Sequence, residues 1–147
     1  ERIGDYAKNI AKRIAPLAQT PPLETVHTLR RMATLVRGMV KTVLDAYIER
    51  DIEKASDVIA RDEEVDALHT SLFRELLTYM MEDPRNITPC THLLFVAKNI
   101  ERSGDHATNI AENVQFLVSG ESFTEERPKG DESSVVVVQP TSAEATQ

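Results

Sequence analysis

The sequence predicts an all-α fold, an antiparallel three-helix bundle preceded by the closing helix of another such unit. Three observations carry this. Apolar residues recur at spacings of three and four over stretches of about thirty residues. Helix stop and start signals break those stretches at Thr20-Pro21-Pro22, Asp51, Asp83-Pro84, Thr88-Pro89 and Gly120. An eleven-residue segment at the start also returns a hundred residues later. The chain has five glycines, two of them inside the repeated segment, which suits long helices better than a turn-rich β fold.

In chain order, Glu1 to Ala18 has helical periodicity through Ile3, Ala7, Ile10, Ala11 and Ile14, and ends around Pro16. Thr20 can cap a new helix whose first position is proline, where the missing N–H costs nothing. That helix is expected to reach about Arg50, with Val26, Leu29, Ala33, Val36, Val40, Val43 and Tyr47 on one face. Asp51 caps the next, which stops near Met81 ahead of Asp83-Pro84. Thr88-Pro89 repeats the cap-then-proline signal, and the last helix runs to Gly120 as its C-terminal glycine. Helices of about 30 residues are about 45 Å long at 1.5 Å per residue, and short connections force them antiparallel. Three segments result: 1–19 as the closing helix of a truncated first repeat, 20–119 as a complete three-helix repeat, and 120–147 as an acidic tail. The tail is expected to be mobile, its Val135–Val138 run being a short apolar stretch within it.

Composition narrows the function. Apolar residues make up 41% of the 147, enough for one real core but not for two ordinary domains. The formal charge of −7 is uneven: beyond Gly120 six acids face Arg127 and Lys129, a balance of −4, which leaves −3 on residues 1–119. A near-neutral body with an acidic tail argues against nucleic acid as a partner. Cys90 is the only cysteine, so no intrachain disulfide forms and a reducing compartment is the simpler reading. No apolar run approaches the roughly 18 residues that span a bilayer, so no direct membrane insertion is expected.

The repeat is Glu1-Arg-Ile-Gly-Asp-Tyr-Ala-Lys-Asn-Ile-Ala11 against Glu101-Arg-Ser-Gly-Asp-His-Ala-Thr-Asn-Ile-Ala111, with eight of eleven positions identical. Its residues divide by role. Ala107, Ile110 and Ala111 join the apolar stripe of Leu93, Val96, Ile100 and Val114, and Gly104 beside them lets a neighbouring helix approach closely, offsetting a helix penalty of about 1 kcal/mol. Glu101 and Asp105 sit at i and i+4 on another stripe, and Glu1 and Asp5 reproduce the pair. Like charges at that spacing mildly destabilise a helix, and a solvated face is the plain explanation of one such pair. Its retention, where an ordinary exposed position differs between the copies (Lys8 against Thr108), points to function.

A second pair, Asp62 and Asp66, shares a stripe with His69 on the middle helix, alongside Val58, Val65, Phe73 and Leu76. Carboxylates in an apolar face need compensation. Arg61 or Arg74 could pair with them, or a cation could be shared among carboxylates of adjacent helices. Oxygen-rich, thiol-free ligation suits Mg, Mn, Fe or Zn.

Tandem three-helix units with Glu/Asp-x-x-x-Asp motifs on two of their helices resemble the PhoU family, over residues 1 to about 119. The resemblance implies a cytoplasmic negative regulator of phosphate uptake and of the phosphate-starvation response, and not an enzyme. It implies coupling of a phosphate ABC transporter ATPase to a sensor histidine kinase, peripheral placement at the membrane's inner face through the transporter, and a homodimer. It also implies multinuclear iron or zinc on the surface, with Asp62, Asp66, Glu101 and Asp105 matching one repeat's metal motifs, and Glu1 and Asp5 one motif of the other. The helix that would complete the latter is not in this chain.

Two rivals stand beside this reading. Glu24-x-x-His27 and Asp66-x-x-His69 resemble the carboxylate-x-x-His pairs of di-iron bundle enzymes, but Glu24 lies too near a helix end to meet Asp66 in mid-bundle. A metal-free helical adaptor is the stronger rival. Arg30, Arg37 and Lys41 line one face of the first long helix and, if not merely solvated, dock an acidic surface on a partner.

Overall fold

The computed structural model describes residues 1–20, 26–120, 133, 135 and 136, and is all-α as the sequence predicts. Its helices are α1 (Arg2–Leu17), α2 (Val26–Glu49), α3 (Ile52–Glu82) and α4 (Ile87–Ser119), and no strand occurs among the described residues. Val135 and Val136 belong to no regular element, while Val137 and Val138 lie outside the described residues.

Local chemistry sets each junction. Between α2 and α3, Arg50 adopts a left-handed conformation (φ 55°), which lets the Asp51 amide donate back to the Ala46 carbonyl at 3.0 Å. The Asp51 carboxylate then accepts the Glu53 and Lys54 amides at 2.9 and 3.1 Å, the predicted cap. Asp83 ends α3, and a 3₁₀ turn over Pro84–Asn86 leads into α4. The start expected at Thr88-Pro89 is therefore corrected: α4 begins at Ile87, and Pro89 sits inside its first turn, where an amide has no helical partner to lose. Gly120 closes α4 with φ 75°, and its amide donates to Phe116. At the end of α1 the Thr20 hydroxyl donates to the Leu17 carbonyl at 2.9 Å. The proline-led start of the next helix falls at 21–25, outside the described residues.

Helix α4 is the centre of the packing. It touches α1, α2 and α3; α2 and α3 also pack together, and α1 meets α4 alone among the described helices. The Gln115 amide donates to the Ser56 hydroxyl at 2.9 Å, so α4 ends where α3 begins and the two are antiparallel. The core joins Met32, Met39 and Val43 of α2, Val58, Val65, Leu72 and Leu76 of α3, and Leu93, Ile100, Ala107, Ala111 and Val114 of α4. Each large side chain hidden here contributes about 1.5–3 kcal/mol.

The α2 stripe needs correction. The core-facing positions are Met32, Val36, Met39, Val43 and Ala46, whereas Ala33 is exposed and Tyr47 is 56% exposed. The expected stripe is a second apolar face: Val26, Leu29, Ala33, Val36 and Val40 border a groove between α2 and α1. The apolar arc of α2 is wider than one interface, so spacing alone placed its centre between two faces.

Candidate functional site

Capping at Asp51 fixes the register of α3, and from there Asp62, Asp66 and His69 fall on one side of the helix at i, i+4 and i+7. All three are buried. On α4, Glu101 is buried and Asp105 half-buried. The two helices bring these groups to a common seam: Asp62 Oδ1 lies 3.4 Å from where a Cβ on Gly104 would stand, and Val36 and Val65 reach the same spot from 3.6 and 3.7 Å. A methyl would just touch these atoms, so Gly104 leaves a carboxylate oxygen resting against α4 backbone.

Glu101 is the most constrained member. One oxygen accepts from Lys98 Nζ at 3.0 Å; the other, Oε2, is buried with no hydrogen-bond partner. Burial lifts this carboxyl above its ordinary value, and the Lys98 ammonium offsets part of that. The charges of Asp105 and His69 also act on it, which places all of them within electrostatic reach. Arg61, one of two residues expected to compensate Asp62 and Asp66, instead pairs with Asp57 at 2.6 Å.

Four carboxylates and an imidazole line the seam, an oxygen-rich donor set of the kind hard or borderline cations take, and Glu101 Oε2 is buried without a hydrogen-bond partner. Among the described residues, no three His, Cys, Asp or Glu side chains stand close enough together to hold an ion as they are. Capture of a cation therefore requires the carboxylates to swing toward one another.

Glu1 and Asp5 are not part of this seam. They are exposed on α1, which makes no contact with α3. A Cβ on Gly4 would meet nothing within 4 Å, where its counterpart Gly104 has three neighbours. The copies differ likewise at Lys8 and Thr108. Thr108 is not an exposed position: it is fully buried, its hydroxyl donating to the Gly104 carbonyl at 3.1 Å, whereas Lys8 is exposed. The divergence follows from α4 being covered by α2 and α3 on a face that α1 leaves open.

Sequence reading missed how the copies meet. Tyr6 and His106, the sixth residues of the two motifs, pair at 3.3 Å between the hydroxyl and Nε2, with ring centroids 5.6 Å apart. Arg13 donates to His92 Nδ1 at 3.1 Å and stacks over the Phe95 ring at 4.4 Å. Going up α1 thus means going down α4, and the motif copies pack antiparallel. A polar aromatic residue at position six of both copies was the available signal. Arg30, Arg37 and Lys41 are exposed along α2, as expected. Glu24, needed for the di-iron arrangement, lies outside the described residues, and His27 is exposed.

The described residues form an all-α bundle with carboxylates buried on α3 and α4, and none of its helices is long and apolar enough to cross a membrane. Residues 29–114 match the PhoU domain, and the chain belongs to that family. It is 56% identical over 137 residues to a phosphate-specific transport system accessory protein PhoU homolog of Rhizobium meliloti (strain 1021), covering 92% of this chain and 58% of the relative. The homolog of the same name in Caulobacter vibrioides (strain NA1000 / CB15N) is 56% identical over 132 residues, covering 89% and 57%. The crystal structure of PhoU from Pseudomonas aeruginosa superposes with a TM-score of 0.79 at 39% identity, covering 82% of this chain and 58% of that one. The chain thus spans somewhat more than half the length of these relatives.

Proposed function

We propose that the protein is a regulator of phosphate transport and of the phosphate-starvation response, acting by binding and not by catalysis. The observation that carries this is the 56% identity over 92% of the chain to a phosphate-specific transport system accessory protein. Its partners are the transporter ATPase and a sensor histidine kinase, it works as a homodimer, and it stays at the inner face of the membrane through the transporter. Arg30, Arg37 and Lys41 are the side chains offered to an acidic partner surface. Deleting the gene is expected to release phosphate uptake and a starvation reporter from repression in phosphate-rich medium, and restoring it to reverse both. Unchanged uptake and reporter in the deletion strain would refute the regulator.

In the same reading, Asp62, Asp66, Glu101 and Asp105 hold iron or zinc, with Mg or Mn as the alternative. Bound there, a cation would neutralise the seam's charge, with Asp62 and Asp66 holding it from α3 and Glu101 and Asp105 from α4. The unpaired Glu101 Oε2 supports this. Glu1 and Asp5 would serve a separate site whose other ligands lie outside this chain. Elemental analysis and calorimetry on Asp62→Ala and Glu101→Ala chains test it: both should lose metal, and metal content equal to the parent's would remove these residues as ligands. A metal-free adaptor remains the second reading, favoured by the absence of a preassembled trio of donors among the described residues.

A further inference from the structure

Ser133 returns to the bundle far from the end of α4, and from this we infer that residues 133–136 form an intramolecular strap closing a groove between α3 and α4. The inference stands apart from the regulatory and metal readings given above.

The groove encloses about 300 Å³. His69 and Phe73 form its α3 wall, and Leu94, Phe95 and Lys98 its α4 wall, with Ser133 set against them. Both walls belong to one three-helix repeat, and the residue that enters between them is this chain's own. Ser133 and Val136 are half-buried, whereas Val135 between them is 73% exposed. A segment seated on a surface has side chains alternately covered and open in this way, and one standing free in water leaves its valines exposed alike.

Chain length permits the contact. Thirteen residue steps separate Gly120 from Ser133, and extended they reach about 43–47 Å. Lys98 stands 22 residues before Gly120, about 33 Å back along α4 at 1.5 Å per residue. A tether of this length holds the segment near the groove at an effective concentration on the order of 1 mM. A contact of a few residues is then well populated without being tight, and a competitor can displace it. The chemistry matches as well. The groove is chiefly apolar, with the partly exposed Lys98 ammonium in its wall. In sequence, Ser133 follows Asp131 and Glu132 and precedes the Val135–Val138 run. An apolar run led by two acids complements an apolar groove that holds a cation. Lys98 also holds Glu101, so the strap is seated one ion pair away from the carboxylate seam.

The test is made on the intact chain in EDTA. A spin label on Val135→Cys faces solvent, and buried Cys90 leaves the label to the introduced thiol. Paramagnetic broadening is expected at the amides of Phe73, Leu94 and Lys98 and not at those of Asn113 and Phe116 near the far end of α4. Adding Val136→Asp should abolish it. Val136→Asp should also bind more of the apolar dye ANS than the parent, because the groove is uncovered. Val135→Asp, the same charge change at an exposed neighbour, should match the parent, circular dichroism confirming that both variants fold. Broadening spread evenly along α4, broadening that survives Val136→Asp, or equal dye uptake by the two Asp chains would overturn the strap. So would broadening in an isotope-labelled chain mixed with a separate spin-labelled one, which would give the groove to the tail of a second copy. Neither a metal nor a transporter is present in these measurements, so failure of the strap and failure of the regulator are distinct results.

Discussion

Replacing Glu101 with Gln isolates the strained member of the carboxylate seam. The native side chain is 6% exposed, with one oxygen on Lys98 and the other on nothing. Leaving a buried polar atom unpaired costs about 1–3 kcal/mol, and Gln removes the negative charge while keeping the shape. The variant gives up an ion pair with a Lys98 that is 39% exposed, worth at most about 1 kcal/mol. Its amide also stays buried, so the net expectation in EDTA at pH 7.5 is a gain of about 1 kcal/mol, or about 4 °C in Tm. Because burial raises this carboxyl in the folded state, its contribution to stability is present below its ordinary value of about 4.3 and is lost as pH climbs through the raised one. The advantage of Gln therefore appears as pH rises and closes as pH falls toward 4. Urea unfolding of both proteins at several pH values measures the gap directly. A gap that does not change with pH, or a Gln variant that loses stability at pH 7.5 relative to pH 4, would show that the fold favours the carboxylate as an anion, and the argument from the unpaired oxygen would be wrong.

Other expectations concern the scaffold. Asp51→Ala removes the acceptor for two α3 amides and should cost about 1 kcal/mol in urea unfolding, with helix content unchanged below the transition. Arg13→Ala breaks both its bond to His92 and its stacking on Phe95, together worth about 1–2 kcal/mol. Since α4 is the only described helix that α1 touches, hydrogen exchange should quicken about tenfold in α1 while α2 to α4 stay unchanged. Met39→Ala empties a fully buried core position and should cost about 2–5 kcal/mol, measured by thermal unfolding.

What could be read without coordinates was whatever a single helix decides. Asp51 and Gly120 announced a cap and a stop because both signals are satisfied within a turn of their own position. The burial of Asp62, Asp66 and His69 was visible because they share a stripe with Val58 and Val65. Properties that need two helices at once were not legible. The burial of Thr108 depends on α2 and α3 covering α4, and a threonine does not advertise that cover. On α2, Val36 belongs both to the core and to the groove, so one continuous apolar arc served two surfaces that spacing could not separate. Arg61 is a different case: its partner Asp57 stands four residues earlier on the same helix, a pairing that helical spacing alone would have selected.

The antiparallel meeting of the two motif copies has a consequence for ancestry. Position six of one copy against position six of the other is the geometry of an isologous contact, the kind two identical subunits make across a twofold axis. A duplicated and fused gene would convert such a homodimer seam into an internal junction. Before fusion every change at that position would have struck both sides together and had to suit itself. After fusion each side mutates alone, and a tyrosine facing a histidine is a pairing that a strictly symmetric ancestor could not have encoded.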